Sequence, residues 1–173
     1  ASVCPDSSVT LTANGGDTYT WATDPTLVAD NTGIAIASPT AQTTYSVTAA
    51  NTMGCTGTAT VVVDLYPTPS IAVTPVPSAG CIPVVVDFNS DINPAAISYS
   101  WNFGDPTSGA ANLSTQDSPI HVFSNPGEYD VTLDVVSIHG CPASAVYPSM
   151  VKAYDVPIAA FAADSNTLNL DNA

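Results

Sequence analysis

Residues 99–105 read Tyr-Ser-Trp-Asn-Phe-Gly-Asp. Three aromatic residues, Tyr99, Trp101 and Phe103, occupy alternate positions, which places them on one face of an extended strand. Gly104-Asp105-Pro106 then breaks the pattern and predicts a tight turn. A weaker counterpart, Tyr19-Thr20-Trp21, lies in the first half. Each half therefore supplies an aromatic strand around which a core can form.

Working outward from residue 99, the same period recurs. Val84, Val86 and Phe88 form an alternating strand. Ile120 to Phe123 is a short strand, and Asn125-Pro126-Gly127 is a turn. Tyr129, Val131, Leu133 and Val135 form a long strand whose intervening Asp130, Thr132 and Asp134 face outward. Residues 105–119 read as loop, and Pro148 marks residues 144–154 as an edge strand or a bulged one. In the first half, Val9 and Leu11 open a strand and Asn14-Gly15-Gly16-Asp17 turns it. Ile34 and Ile36 begin another. Tyr45, Val47 and Ala49 share a face, as do Ala59, Val61, Val63 and Leu65. No window keeps a 3.6-residue period for three turns, so no helix is expected. Short strands about every 8–12 residues predict an all-β chain of tandem immunoglobulin-like antiparallel β-sandwiches. The Tyr66-Pro67-Thr68-Pro69 linker divides it into sandwiches at 1–66 and 67–156. Residues 157–173 look like the opening of a further unit or a C-terminal strand segment.

Composition narrows the function. The 173 residues include 15 acidic and one basic residue, for a net charge of −14. Nucleic-acid binding needs Lys and Arg to displace phosphate counterions, so it is excluded; a polybasic contact with lipid fails for the same reason. No apolar run reaches the ~18 residues of a membrane span. The first residues have neither the basic nor the apolar region of a leader, which suits a processed product or a piece of something longer. Charged residues are only 9% of the chain, a surface of hydroxyls and scattered carboxylates that suits secretion. Cys4, Cys55, Cys81 and Cys141 are even in number and widely spaced, which points to disulfides. Of three possible pairings, Cys4–Cys55 with Cys81–Cys141 is expected, since each would then close one half of the chain. Such bonds place maturation in an oxidising, extracytoplasmic compartment.

Candidate sites are few. Trp21 and Trp101 lie mid-strand among inward-facing residues and are assigned to core packing. Asp105, in a Gly-Asp turn, is expected to accept backbone N–H bonds. His121 is expected to bond nearby backbone, and His139 to be exposed. No nucleophile-base arrangement can be assembled, so catalysis is not expected. Calcium is the one cofactor worth weighing: Asp64 and Asp155 precede linker prolines, and Asp87, Asn89 and Asp91 sit at alternate positions. No acidic loop of calcium-binding spacing accompanies them.

Three segments in order carry a family resemblance. Tyr99 to Asp105, then Pro119-Ile120-His121-Val122-Phe123, then Pro126-Gly127-Glu128-Tyr129-Asp130-Val131-Thr132-Leu133 match the WxFGDG, PxHxY and PGxYxVxL segments of the PKD (polycystic kidney disease) domain. The second half resembles that family, which implies an immunoglobulin-like sandwich with His121 and Tyr129 in structural positions. Asn102, Pro106 and Phe123 depart from the family's usual residues, and Pro106 bears on the turn's shape. The first half, through Cys4, Val9 to Ala13, Gly15-Gly16, Tyr19 to Trp21, Thr43 to Thr48 and Gly54-Cys55-Thr56, is similar to immunoglobulin-like repeats of large Bacteroidetes-type surface proteins. Those repeats serve gliding motility and adhesion, and hydrolases exported by type IX secretion. The resemblance implies non-catalytic, disulfide-stapled spacers in an extracellular stalk or filament, with neighbouring repeats as partners and a glycan or other surface ligand beyond them. The alternatives are a glycan-positioning module of a secreted polysaccharide-degrading enzyme, and self-association by strand addition from residues 157–173.

Overall fold

The computed structural model describes residues 1–161. Fifteen strands form two sandwiches, each of two sheets. The first unit holds β1 (Ser2–Val3), β2 (Val9–Thr12), β3 (Thr18–Trp21), β4 (Leu27–Ala29), β5 (Ile34–Ala37), β6 (Thr43–Ala50) and β7 (Thr56–Leu65). One sheet runs β1-β7-β6-β3 and the other β2-β5-β4. The second unit holds β8 (Ser70–Val76), β9 (Ala79–Cys81), β10 (Val84–Asn93), β11 (Ala96–Asn102), β12 (Leu113–Ser114), β13 (Ile120–Phe123), β14 (Gly127–Ser137) and β15 (Pro142–Tyr154). Its sheets are β13-β10-β8 and β12-β11-β14-β15-β9. Only Tyr66 to Pro69 connects β7 to β8, and two of those four residues are proline. The further unit expected at 157–173 falls largely outside the described residues; 157–161 carry no strand.

The period-two pattern decides which side chains are buried. In the second unit Val84, Val86, Phe88, Trp101, Phe103, Phe123, Tyr129, Val131, Leu133 and Val135 share one cluster. In the first unit β5 turns its alanines inward: Ala35 and Ala37 are buried, whereas Ile34 and Ile36 are nearly half exposed. The facing sheets have less to interdigitate there, because a methyl group fills the place of a branched side chain.

Two prolines have local consequences. Pro106 does not continue a loop: it opens a 3-10 segment, Pro106–Asn112, broken at Gly109. A fixed φ suits the first position of a helical turn, where the missing N–H is not needed. Pro148 lies where the β14–β15 register shifts between Tyr129 and Val131. Ser149 follows with φ 47° and donates its N–H to Asp130 Oδ1 at 2.7 Å. The strand is thus bulged at this point, and β9 pairs with its far side only from Lys152 to Tyr154.

Candidate functional site

The aromatic strand leads to a buried polar pair. Trp101 is fully buried and its indole N–H donates to the Gln116 carbonyl at 2.8 Å. Phe103 stacks on the His121 ring at 4.5 Å. Gly104 adopts φ +69°, and a Cβ there would lie 2.3 Å from the Asp130 carbonyl oxygen, so no side chain fits. Asp105 follows, buried. Its carboxylate meets His121 Nε2 at 3.2 Å and accepts the Thr107 hydroxyl at 2.6 Å. The expectation that Asp105 accepts backbone N–H bonds and that His121 bonds backbone is corrected: the two side chains serve each other. The reason is topological, since β13 carries His121 beneath the turn that carries Asp105. Burial pushes the Asp105 carboxyl up, but the Thr107 and His121 bonds outweigh it and hold it below the ordinary carboxylate value. Tyr129 donates its hydroxyl to the Asn125 carbonyl at 2.7 Å, the corner bond that pins a sandwich strand to the preceding turn. The side chains of Trp101, Phe103, Asp105, His121 and Tyr129 are buried, so this group locks the fold from within.

The first unit is looser at the matching place. Trp21 is only partly buried, and its indole N–H is enclosed without a partner. It borders a groove of about 700 Å³ with Leu11, Tyr45, Val47 and Thr60. Trp21 packs against the core of the first unit and also borders this groove.

The joint between the units departs most from expectation. Cys4 is bonded to Cys141, across the linker, with Cα atoms 5.3 Å apart. Cys55 and Cys81 are exposed free thiols. The pairing of Cys4 with Cys55 and Cys81 with Cys141 is therefore corrected. Cys55 and Cys4 lie at opposite ends of the ten-residue β7, a span of roughly 33 Å at ~3.3 Å per residue. Cys141 and Cys81 lie at opposite ends of the thirteen-residue β15, roughly 43 Å apart by the same rise. A disulfide needs Cα atoms within about 7 Å. Beside the bond, Tyr66 and His139 stack with ring centroids 4.3 Å apart and planes 7° from parallel. The bond and the stack both connect the first unit and its linker to the β14–β15 turn.

The calcium candidates do not converge. Asp64 accepts from Gln42, and Asp155 accepts the Val156 N–H at 2.9 Å. Asp87 and Asp91 are exposed on the outer face of β10. Among the described residues no three His, Cys, Asp or Glu side chains are grouped to hold a metal ion. Of three tyrosines that a flat ligand might use, Tyr66 is in the joint and Tyr147 donates to the Ile71 carbonyl at 2.9 Å. Tyr154 alone is exposed.

Comparison with known proteins matches residues 66–151 to the PKD domain family. A microbial collagenase of Vibrio alginolyticus is 34% identical over 65 residues, which cover 38% of this chain and 7% of that protein. Among solved structures, the PKD1 domain of Vibrio anguillarum Epp aligns at 18% identity and a TM-score of 0.40, covering 51% of this chain and 98% of that one. The N-terminal eight immunoglobulin domains of Down Syndrome Cell Adhesion Molecule align at 11% identity and a TM-score of 0.49, covering 85% of this chain and 25% of that one. The match at 66–151, with the two-sheet topology of residues 1–65, shows that the chain carries two structural, non-catalytic modules: an immunoglobulin-like domain followed by a PKD domain.

Proposed function

We propose that the chain is a load-bearing spacer of a secreted cell-surface protein, in which two modules are held as one by a covalent joint. The observation that carries this reading is the Cys4–Cys141 bond. It connects the first strand of one module to the last hairpin of the other. Tension entering at residue 1 passes from Cys4 directly to Cys141 and leaves along β15. Residues 5–140 lie outside the load path. Both hydrophobic cores are thereby relieved of force, and the linker cannot be stretched. Such a bond persists only in an oxidising compartment, which supports an extracellular location on a stalk or filament of the adhesive and gliding kind. Pulling the chain by its ends tests this. The oxidised protein should show no unfolding step, whereas reductant should release the bypassed residues, ~450 Å of contour. An equal extension with and without reductant would refute the load path.

A second reading has one observation behind it: the likeness over 65 residues to part of a microbial collagenase. An accessory module of a secreted hydrolase would use its surface to position a polymer. Retention of the chain on immobilised collagen or polysaccharide, lost on changing Tyr154 to Ala, would favour it over the spacer.

A further inference from the structure

The two modules repeat the joint's chemistry at their free ends. Asn51 to Cys55 joins β6 to β7, and Ser137 to Cys141 joins β14 to β15, through the same turn. Asn51 N–H donates to the Cys55 carbonyl and Gly54 N–H to the Asn51 carbonyl; Ser137, Cys141 and Gly140 repeat both bonds. The Asn51 Oδ1 accepts the N–H groups of Met53 and Cys55, and the Ser137 Oγ accepts those of His139 and Cys141. Gly54 and Gly140 have φ of 82° and 79°. At the other end of each module, β1 runs parallel to the end of β7 and β9 parallel to the end of β15. Cys81 pairs with Tyr154; Cys4, one residue beyond the Val3–Leu65 pair, stands opposite Tyr66. Cys4 thus corresponds to Cys81, Tyr66 to Tyr154, Cys55 to Cys141, and Met53 to His139.

The observed joint uses one half from each module: Cys4 with Tyr66, and Cys141 with His139. The other two halves stand open. Cys55 is an exposed thiol beside Met53, which is 88% exposed, and Cys81 is an exposed thiol beside Tyr154, which is 55% exposed. The geometry assigns Cys55 and Cys81 as complementary ends of an intermodule disulfide, each taking a module of this same build as its partner. Cys81 receives the turn cysteine of one neighbour, and Cys55 receives the strand-end cysteine of another. Tyr154 then packs on the residue before that neighbour's Gly-Cys, and Met53 packs its sulfur on a tyrosine ring. This deepens the spacer reading and rests on it: the joint becomes a repeated covalent link along an array. The oxidant is a disulfide, either of a thiol oxidoreductase or of a small molecule. One cysteine thiolate attacks it and releases a first thiol. The second cysteine thiolate then displaces the other, so two cysteine thiols and one disulfide give one protein disulfide and two thiols.

The test mixes equal amounts of C55S and C81S chains at millimolar concentration with oxidised glutathione, read by non-reducing mass analysis and peptide mapping. Cys81 of the first variant should join Cys55 of the second, exceeding both homodimers together by about fivefold, where random encounter gives about equal shares. The unaltered chain should form a ladder of head-to-tail oligomers. Adding M53A and Y154A should slow the heterodimer and leave the homodimers unchanged. Random shares, no heterodimer, or closure of Cys55 on Cys81 within one chain would each overturn the assignment. The Cys4–Cys141 load path would survive such a result, because pulling a single chain tests it separately.

Discussion

The two modules share the strand order of one sheet, β1-β7-β6-β3 in the first and β9-β15-β14-β11 in the second, and differ in what fills the core behind it. The second has twelve buried residues in its core cluster, including Phe88, Trp101, Phe103, Phe123 and Tyr129. The first has six, two of them alanine. Equivalent tryptophans show the consequence. Trp101 is enclosed with its N–H paired, while Trp21 borders a groove with its N–H unpaired. A sandwich is specified by alternation, but its stability depends on the apolar volume that alternation delivers. The thinner module is covalently tied to the thicker one, at the point where the two meet.

Cutting that tie should have the largest effect. In the chain-entropy model a closed loop of 137 residues contributes roughly 5 kcal/mol. In C141S, two unfolding transitions should separate in denaturant, the first module melting earlier; a single unshifted transition would show that the modules do not need the bond. Next comes the contrast between tryptophans. W101A should cost about 3–5 kcal/mol and W21A about 1–2 kcal/mol, measured by chemical denaturation. Equal costs would mean that the groove beside Trp21 is closed in solution.

The buried Asp105–His121 pair, without counterpart in the first module, gives a smaller and pH-dependent effect. D105N should lose about 1–3 kcal/mol at neutral pH, since it leaves buried groups poorly paired. The folded carboxyl titrates below its ordinary value. Its contribution is therefore complete above about pH 4, the unfolded value, and fades as pH falls through the folded value. The gap between wild type and D105N should narrow in acid. A gap constant from pH 7 to pH 2 would contradict the pairing. The smallest effect separates the two turns: N51A should cost about 1 kcal/mol and S137A less. Asn51 accepts at 3.0 and 2.9 Å, and Ser137 at 3.3 Å twice. A larger loss in S137A would reverse the ranking of the turns.

Much of the fold was legible in single residues. The alternations at Tyr99 to Phe103, Val84 to Phe88 and Tyr129 to Val135 fixed strands and faces, because side-chain direction in a strand depends only on parity. Pro148 announced its bulge, because a residue without an N–H interrupts a ladder. The face of β5 was less apparent, since Ile34 and Ile36 are the larger residues yet the alanines between them face the core. The 3-10 segment after Pro106 was also missed, being held by Asp105 and Asn112 rather than by any periodic pattern.

The cysteines mark the boundary between the two kinds of information. Sequence alone established that they are four, even in number and suited to an oxidising compartment. Which cysteines meet was decided by tertiary structure. A disulfide depends on two Cα atoms lying within a few ångströms, and here residues far apart in the chain meet where the last hairpin of one module reaches the first strand of the other. No local pattern encodes that distance. The Asp105–His121 pair has the same origin: both residues are visible in the motif, but only the packing of β13 under the turn brings their side chains together.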